Sequence, residues 1–397
     1  MKVNQIKNSG DLKPLKWSHH EIPHLTIETN MTCNIACRSC YNLYKNYTKP
    51  LQEIKQEINL ALQKRNLETI TLLGGEPTLH PQLPEIIRYI KSKKLICQML
   101  TNGIVFLHDK DDFLLNELIR AGLNRILLHI DNGQRHIHPD IEAVRNILFT
   151  KFEQKQIYFS LSMTIYKDDQ GSLPMVIKRY AHYKYFDGIL ALLNRDAHVL
   201  SIDHPASNSR PELDIEYHSI QDGLQIEPTA YIPSSLDDKY ISWLMYFYYI
   251  NTQSGVSFSI SPSVNRLFRK LYRWLVGRQV FAVTVNPKYF LLGFILTCIG
   301  ELLLHPGKFV GIYNIIKYCS GFQALRFHYL CLQSGPVYNS EKKEVQLCYH
   351  CPDATIRNGK LTPVCVADQI NPLQKGLGQH PVFEPLFNTV YRHLAEI

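Results

Sequence analysis

Between Ile22 and Leu193 the sequence alternates six times between a short apolar run and an amphipathic stretch, and nothing else in the chain restricts its fold so strongly. The short runs His24–Glu28, Thr69–Leu73, Ile96–Leu100, Arg125–Ile130, Ile157–Met163 and Gly188–Leu193 have strand length and strand composition. The stretches between them, Leu51–Arg65, Leu83–Ser92, Asp112–Ala121, Asp140–Phe152 and Leu173–Tyr183, have helical spacing. In the first, Leu51, Ile54, Ile58 and Leu62 form one apolar face. Pro81 and Pro84 suit a helix entry and Gly122 a helix exit. Repeated βα units predict an α/β fold with a parallel sheet, and right-handed crossovers curl that sheet into a partial (β/α)6 barrel. Reactive side chains in such folds gather past the C-terminal ends of the strands.

Composition narrows the class. The chain has 397 residues, long for one domain and comfortable for two, with 45% hydrophobic and 20% charged residues, as in an ordinary globular protein. The start of the chain is polar, with no apolar core of a signal peptide. The ten cysteines cluster toward the two ends, which favours metal binding in a reducing cytoplasm over disulfides. A formal net charge of +8 is modest for this length and does not imply nucleic acid. The apolar runs Ile241–Ile250 and Tyr289–Gly300 fall short of the ~20 residues of a spanning helix, so no transmembrane helix is expected. The expected organisation is a loose leader at 1–21, a barrel at 22–195, a Pro/Ser/Asn/Asp-rich connection at 196–240 and a C-terminal domain at 241–397.

Directly after the first strand stand Cys33, Cys37 and Cys40, spaced C-x3-C-x2-C. This is neither zinc-finger spacing, which needs a second ligand pair nearby, nor the four-cysteine run of a ferredoxin. Three thiolates on one loop can each hold one iron of a [4Fe–4S] cluster and leave the fourth iron open. After the second strand comes Gly74-Gly75-Glu76-Pro77, in which residues without a Cβ let backbone approach a ligand. Over about residues 22–195 this pattern resembles the radical S-adenosylmethionine (SAM) enzymes. The resemblance implies that Cys33, Cys37 and Cys40 hold the cluster, and that the open iron chelates the amino and carboxylate groups of SAM. It further implies that Gly74, Gly75, Glu76 and Pro77 bind the SAM amino group, and that reductive cleavage of SAM yields a 5′-deoxyadenosyl radical that abstracts hydrogen. An electron donor such as flavodoxin or ferredoxin is implied with it. Where the family often places an aromatic residue before the third cysteine this chain has Ser39, and Tyr41 follows, expected to shield the cluster in part. Thr101-Asn102-Gly103, after the third strand, stands where family members place residues near the cofactor. His129-Ile130-Asp131-Asn132, after the fourth, resembles the family's ribose-contacting segment, with Asp131 the expected contact and His129 a packed histidine. Ser160 and Ser162 read as ordinary alternating strand residues or as pocket lining.

A second cysteine group, Cys348-x2-Cys351 with Cys365 beyond an Asn358-Gly359 hairpin turn, forms a compact metal-binding shape. Cys331 or Cys319 suits a fourth ligand, ahead of His350. The group looks like the auxiliary (SPASM-like) iron–sulfur region of radical SAM enzymes, which would make a second iron–sulfur cluster. A structural zinc and unliganded buried cysteines are the alternatives. Cys97 and Cys298 read as small core residues. Between Ser261 and Ser320 eight Lys/Arg, Lys288 among them, face one acid, Glu301, and interleave with aromatics. That suits a lipid headgroup, peripheral contact with a membrane surface, or RNA; a buried helix pair with basic flanks is the plain alternative. The expectation is a partial TIM-like barrel with a smaller C-terminal cysteine-containing α+β domain, a cytoplasmic radical SAM enzyme acting on a small-molecule, lipid or peptide substrate, with a lean toward lipid. Distant similarity to lipid-modifying members supports the lean. A peptide-modifying maturase, a methyl transfer and a non-catalytic iron–sulfur or zinc scaffold are the rivals.

Overall fold

The computed structural model describes residues 1–6, 9–15, 17–37, 40–42, 47–194, 211–235, 237–281, 289–317, 322–339 and 344–371. Ser39, Arg195, Lys288, Cys319, the first part of the expected connection (196–210) and the C-terminal stretch beyond 371 lie outside them. The expected alternation is present: β1 (His24–Asn30), α1 (Leu51–Lys64), β2 (Thr69–Gly74), α2 (Leu83–Ser92), β3 (Ile96–Thr101), α3 (Ile104–His108), α4 (Phe113–Ala121), β4 (Arg125–His129), α5 (Ile141–Gln154), β5 (Tyr158–Ile165), α6 (Leu173–Tyr180) and β6 (Phe186–Leu193). Local chemistry sets the ends. Pro84 sits in the first turn of α2, Asp140 caps α5 by accepting the Ala143 N–H, and α4 stops at Gly122 in a left-handed conformation.

β1 to β6 pair in chain order and in parallel. The period of two along each strand sorts the side chains. Leu25, Ile27, Ile70, Leu72, Ile126 and Leu128 turn outward into the helix layer, meeting buried residues such as Ile54, Ile86, Leu115 and Leu148. His24, Thr26, Thr71, Gln98, Arg125 and Leu127 turn inward and line the lumen.

After α7 (Leu213–Leu224) come β7 (Ala230–Pro233), β8 (Ile241–Asn251), β9 (Ser257–Ser259), α8 (Pro262–Val276), α9 (Phe290–Leu304), α10 (Phe309–Lys317) and β10 (Leu325–Gln333). The division expected at residue 241 does not separate two sheets. β10 returns to pair in parallel with β6, β8 lies antiparallel beside β10, and β7 and β9 flank β8. Ile241–Ile250, an apolar run of ambiguous type, is thus a strand almost wholly buried on both faces. Gly188 allows the join: at φ +150° it lies so close to β10 that a Cβ would stand 2.0 Å from the Tyr329 carbonyl oxygen.

The N-terminal segment, expected to be loose, is docked on this extension. The Val3 and Leu15 amides donate to the Lys239 and Tyr231 carbonyls, and Trp17 and Ile22 are buried. The chain ends its described part with β11 (Val337–Asn339), β12 (Glu344–Gln346), the hairpin β13 (Ala354–Arg357) and β14 (Lys360–Pro363), and α11 (Ala367–Ile370). The hairpin turns at Asn358-Gly359, both at positive φ, as the sequence predicts. It packs on β1, where Thr26 Oγ1 donates to the Ala354 carbonyl at 3.0 Å.

Candidate active site

The loop between β1 and α1 carries the three cysteines past the C-terminal end of β1, and its own backbone closes it. Met31 N donates to Tyr47 O at 2.6 Å and Lys49 N to Thr29 O at 3.0 Å, so the two ends of the loop pair side by side. The buried Lys49 ammonium pins the returning end to α1, 2.8 Å from both carboxylate oxygens of Glu57. Cys33, Cys37 and Cys40 all line one cavity of about 320 Å³ and are half-buried. Two side-chain amides reach the sulfurs: Gln134 Nε2 lies 3.5 Å from Cys37 Sγ and Asn102 Nδ2 3.9 Å from Cys33 Sγ. Burial pushes the Cys37 thiol up to about 12, and Cys40, Asp131 and Cys33 add to the rise while the Gln134 amide opposes it. A thiolate there requires positive charge brought in with a ligand.

The turn after β2 explains the glycine pair. A Cβ on Gly74 would stand 2.0 Å from Asn30 O, and one on Gly75 2.1 Å from Thr32 O, so this turn lies directly on the start of the cysteine loop. Gly75 N and Glu76 N donate to Asn30 O and Thr32 O at 2.6 and 2.8 Å. Glu76 is engaged within the protein. Its Oε1 accepts from Thr78 N, Thr78 Oγ1 and Thr101 Oγ1, and its Oε2 from Asn102 N at 2.8 Å, tying the β2 turn to the β3 turn. Gly74, Gly75, Glu76 and Asn102 line the cavity; Pro77 is buried behind them. Asp131 does not line it. Its carboxylate accepts the Gly133 and Thr164 amides at 2.8 and 2.7 Å and sits 3.3 Å from His129 Nε2, so His129 faces the cavity and Asp131 orients it. Ser162 lines the wall and contacts His129 Nδ1 at 3.2 Å, whereas Ser160 is buried outside the lining.

Across the cavity stand Cys331 from β10 and Cys348, Cys351 and Cys365 from the C-terminal segment. Trp243 on β8 places Nε1 3.0 Å from Cys348 Sγ. Arg65, at the end of α1, donates to the carbonyls of His24, Cys351 and Pro352. Asp353 lies 3.2 Å from His24 Nδ1, within the same lining. Cys351 is pushed well above the usual thiol range by its hydrogen bond with Cys348 and by burial; burial likewise raises Cys331 and Cys365. His350 stacks edge-on against His19, away from the lining. Cys97 is core, and Cys298, on α9, is half-buried against the smaller apolar cluster around Phe258 and Val264.

Among the described residues no three His, Cys, Asp or Glu side chains converge on one ion-sized point. The fit to iron–sulfur clusters is therefore one of donor chemistry and placement. Each wall offers at least three sulfurs to the same cavity, and N–H donors from Asn102, Gln134 and Trp243 are aimed at them, as sulfurs carrying negative charge require. Gln134 and Trp243 are the contributors that motif reading missed. Gln134, three residues past Asp131 in the turn after β4, was within reach of strand-end logic; Trp243 was not, since only tertiary pairing brings it here.

The family model described as the Radical SAM superfamily matches residues 27–152. A probable GTP 3′,8-cyclase of Thermococcus kodakarensis is 27% identical over 156 residues, 37% of this chain and 48% of that protein. One from Methanococcus aeolicus is 32% identical over 131 residues, 31% and 42% of the two chains. The chain thus spans about half the length, or less, of the curated relatives it matches. Streptococcus suis SuiB, solved bound to S-adenosylmethionine, aligns with 50% of this chain and 47% of its own at 13% identity and a TM-score of 0.39.

Proposed function

We propose that this chain, whose residues 27–152 match the Radical SAM superfamily model, is an enzyme that works with a [4Fe–4S] cluster and SAM to abstract hydrogen from an apolar substrate, a lipid chain first among candidates. A cluster held at the first wall would supply the electron for reductive cleavage of SAM, and with it the chemistry of hydrogen-atom abstraction. Cys33, Cys37 and Cys40 would hold it, and Asn102 and Gln134 would steady two of the sulfurs. The absence of a Cβ at Gly74 and Gly75 lets this turn lie against the start of the cysteine loop at the cavity edge where SAM would bind, and Glu76 keeps that edge and the β3 turn in register. Cys348, Cys351 and Cys365, with Cys331, would hold a second cluster on the opposite wall. The reductant would be an electron carrier of the flavodoxin or ferredoxin kind.

One observation carries the substrate class. Between the two walls the cavity is lined by Leu100, Leu127, Leu190, Leu192, Met245 and Phe247, and the single Lys/Arg among its described lining residues, Arg125, is ion-paired with Asp187 at 2.8 Å. A nucleoside triphosphate, the substrate in the names of the relatives above, needs unpaired cations; an apolar chain needs the surface that is there. The test is anaerobic incubation of reduced, iron-reconstituted protein with SAM, alone and with long-chain lipids. Methionine and 5′-deoxyadenosine are expected, formed faster with a lipid present, and a lipid deuterated along its chain should pass deuterium into the 5′-deoxyadenosine. Cleavage stimulated by GTP and not by lipid would overturn the substrate class, and no cleavage at all would overturn the enzyme reading.

A further inference from the structure

Of the 25 large apolar side chains exposed among the described residues, 19 lie between Leu267 and Phe322, 17 of them on the helices α8, α9 and α10 inserted between β9 and β10. Scattered singly they would mean little, but a concentration of this kind marks an interaction surface. α9 shows why the insert is unlike an ordinary surface helix. Phe294, Thr297 and Glu301 form its buried face, against Val264 of α8 and the Phe258–Ile260 edge. The opposite face, where charged residues normally stand, carries Leu292, Ile295, Leu296, Ile299 and Leu303, with Leu303 77% exposed. α8 adds Leu267, Leu271 and Trp274, the last 79% exposed, and α10 adds Phe309, Val310 and Tyr313. The sequence alternative of a buried helix pair therefore does not hold: these helices are covered on one side only.

We propose that α8–α10 form a one-sided docking surface that seats in the headgroup layer of an anionic phospholipid bilayer. Charge selects this occupant. From 262 to 317 the only acid is Glu301, and it is buried, accepting the Ser261 amide and hydroxyl at 2.6 Å each. Lys270 and Lys317 are exposed beside the apolar positions, Arg273 is exposed but ion-paired with Glu21 of the N-terminal segment, and the insert itself exposes no carboxylate of its own. Apolar residues and aromatics flanked by Lys and Arg fit an interfacial helix layer. Length excludes a crossing: α9 has 15 residues, about 22 Å, against a hydrocarbon core of about 30 Å. No helix among the described residues is long and apolar enough to cross a membrane.

The test is flotation of the full-length protein with vesicles of phosphatidylcholine alone or mixed equally with phosphatidylglycerol. The wild type is expected to float with the mixed vesicles. The exposed-face variant Ile295→Gln/Ile299→Gln/Leu303→Gln should float less by on the order of tenfold or more. Lys270→Glu/Lys317→Glu should lose the preference for phosphatidylglycerol. Circular dichroism and 5′-deoxyadenosine formation on the same preparations establish that the variants fold, and vesicle binding is read independently of any substrate. Failure of the wild type to float, or equal flotation of the apolar variant, would overturn the proposal. So would a concentration-dependent oligomer without lipid that the variant dissolves, which would assign the face to a second copy of the chain.

Discussion

The two cysteine walls of the cavity are built in opposite ways. The first is one loop between one strand and the next helix, closed by hydrogen bonds between its own ends and backed by the adjoining β2 turn. The second is assembled from β10 and three points of the C-terminal segment, and distant partners hold it. Arg357 on β13 reaches Glu28 of β1 at 2.5 and 2.7 Å and Asp368 at 2.6 Å, all with buried side chains. Arg65 adds its donations to the Cys351 and Pro352 carbonyls. The first wall is local and self-supporting; the second exists only once the whole sheet is in place. A contiguous motif can keep its geometry while the rest of the molecule varies, whereas a composite one depends on every long-range anchor.

The sharpest way to break the comparison is to remove one cysteine from each wall. Cys37→Ala should drop SAM cleavage to background, and Cys351→Ala should leave cleavage intact but uncoupled from substrate, read as 5′-deoxyadenosine formed per substrate consumed. Equal loss in both variants would mean that the walls act as one unit. The next effect is structural. Arg357→Met leaves two buried carboxylates without their partner and should cost about 3–5 kcal/mol in chemical denaturation. Its iron should be lost from the C-terminal wall while the first keeps its own. The smallest effect separates the two anchors by pH. Burial pulls against the Arg357 charge, but Glu28 and Asp368 outweigh it and hold the guanidinium protonated throughout. Glu57, the anchor of the first wall, is pushed from 4.5 up to about 7 by burial, against the pull of Lys49. Its folded form therefore binds a proton more tightly than the unfolded chain. Its contribution to stability is greatest below about 4.5 and declines as pH rises toward about 7. Melting temperatures of wild type and Glu57→Gln across that window should show the decline in the wild type and a flatter profile in the variant.

The same contrast governs what could be read beforehand. β1 to β6 and their helices follow from local periodicity and end signals, and the cysteine loop and glycine turn follow from spacing, so both were legible. Tertiary pairing was not. That β10 lies beside β6, that Trp243 reaches Cys348, and that Asp131 braces His129 instead of lining the cavity all depend on registers between distant strands. Hydropathy marked Tyr289–Gly300 as apolar but could not say which side of α9 would be covered, because burial is a property of neighbours and not of composition.

The late return of β10 also orders events in time. As the chain emerges from a ribosome, β6 is complete at Leu193, yet its parallel neighbour is not made until residues 325–333. Throughout that interval an open strand edge and an apolar insert coexist on one nascent chain, the combination most prone to misassociation. Closure across so long a separation is also slow. A chain built this way would gain from assistance during synthesis, and yields of folded protein should respond to chaperone supply and to lowered temperature more than the barrel alone would suggest.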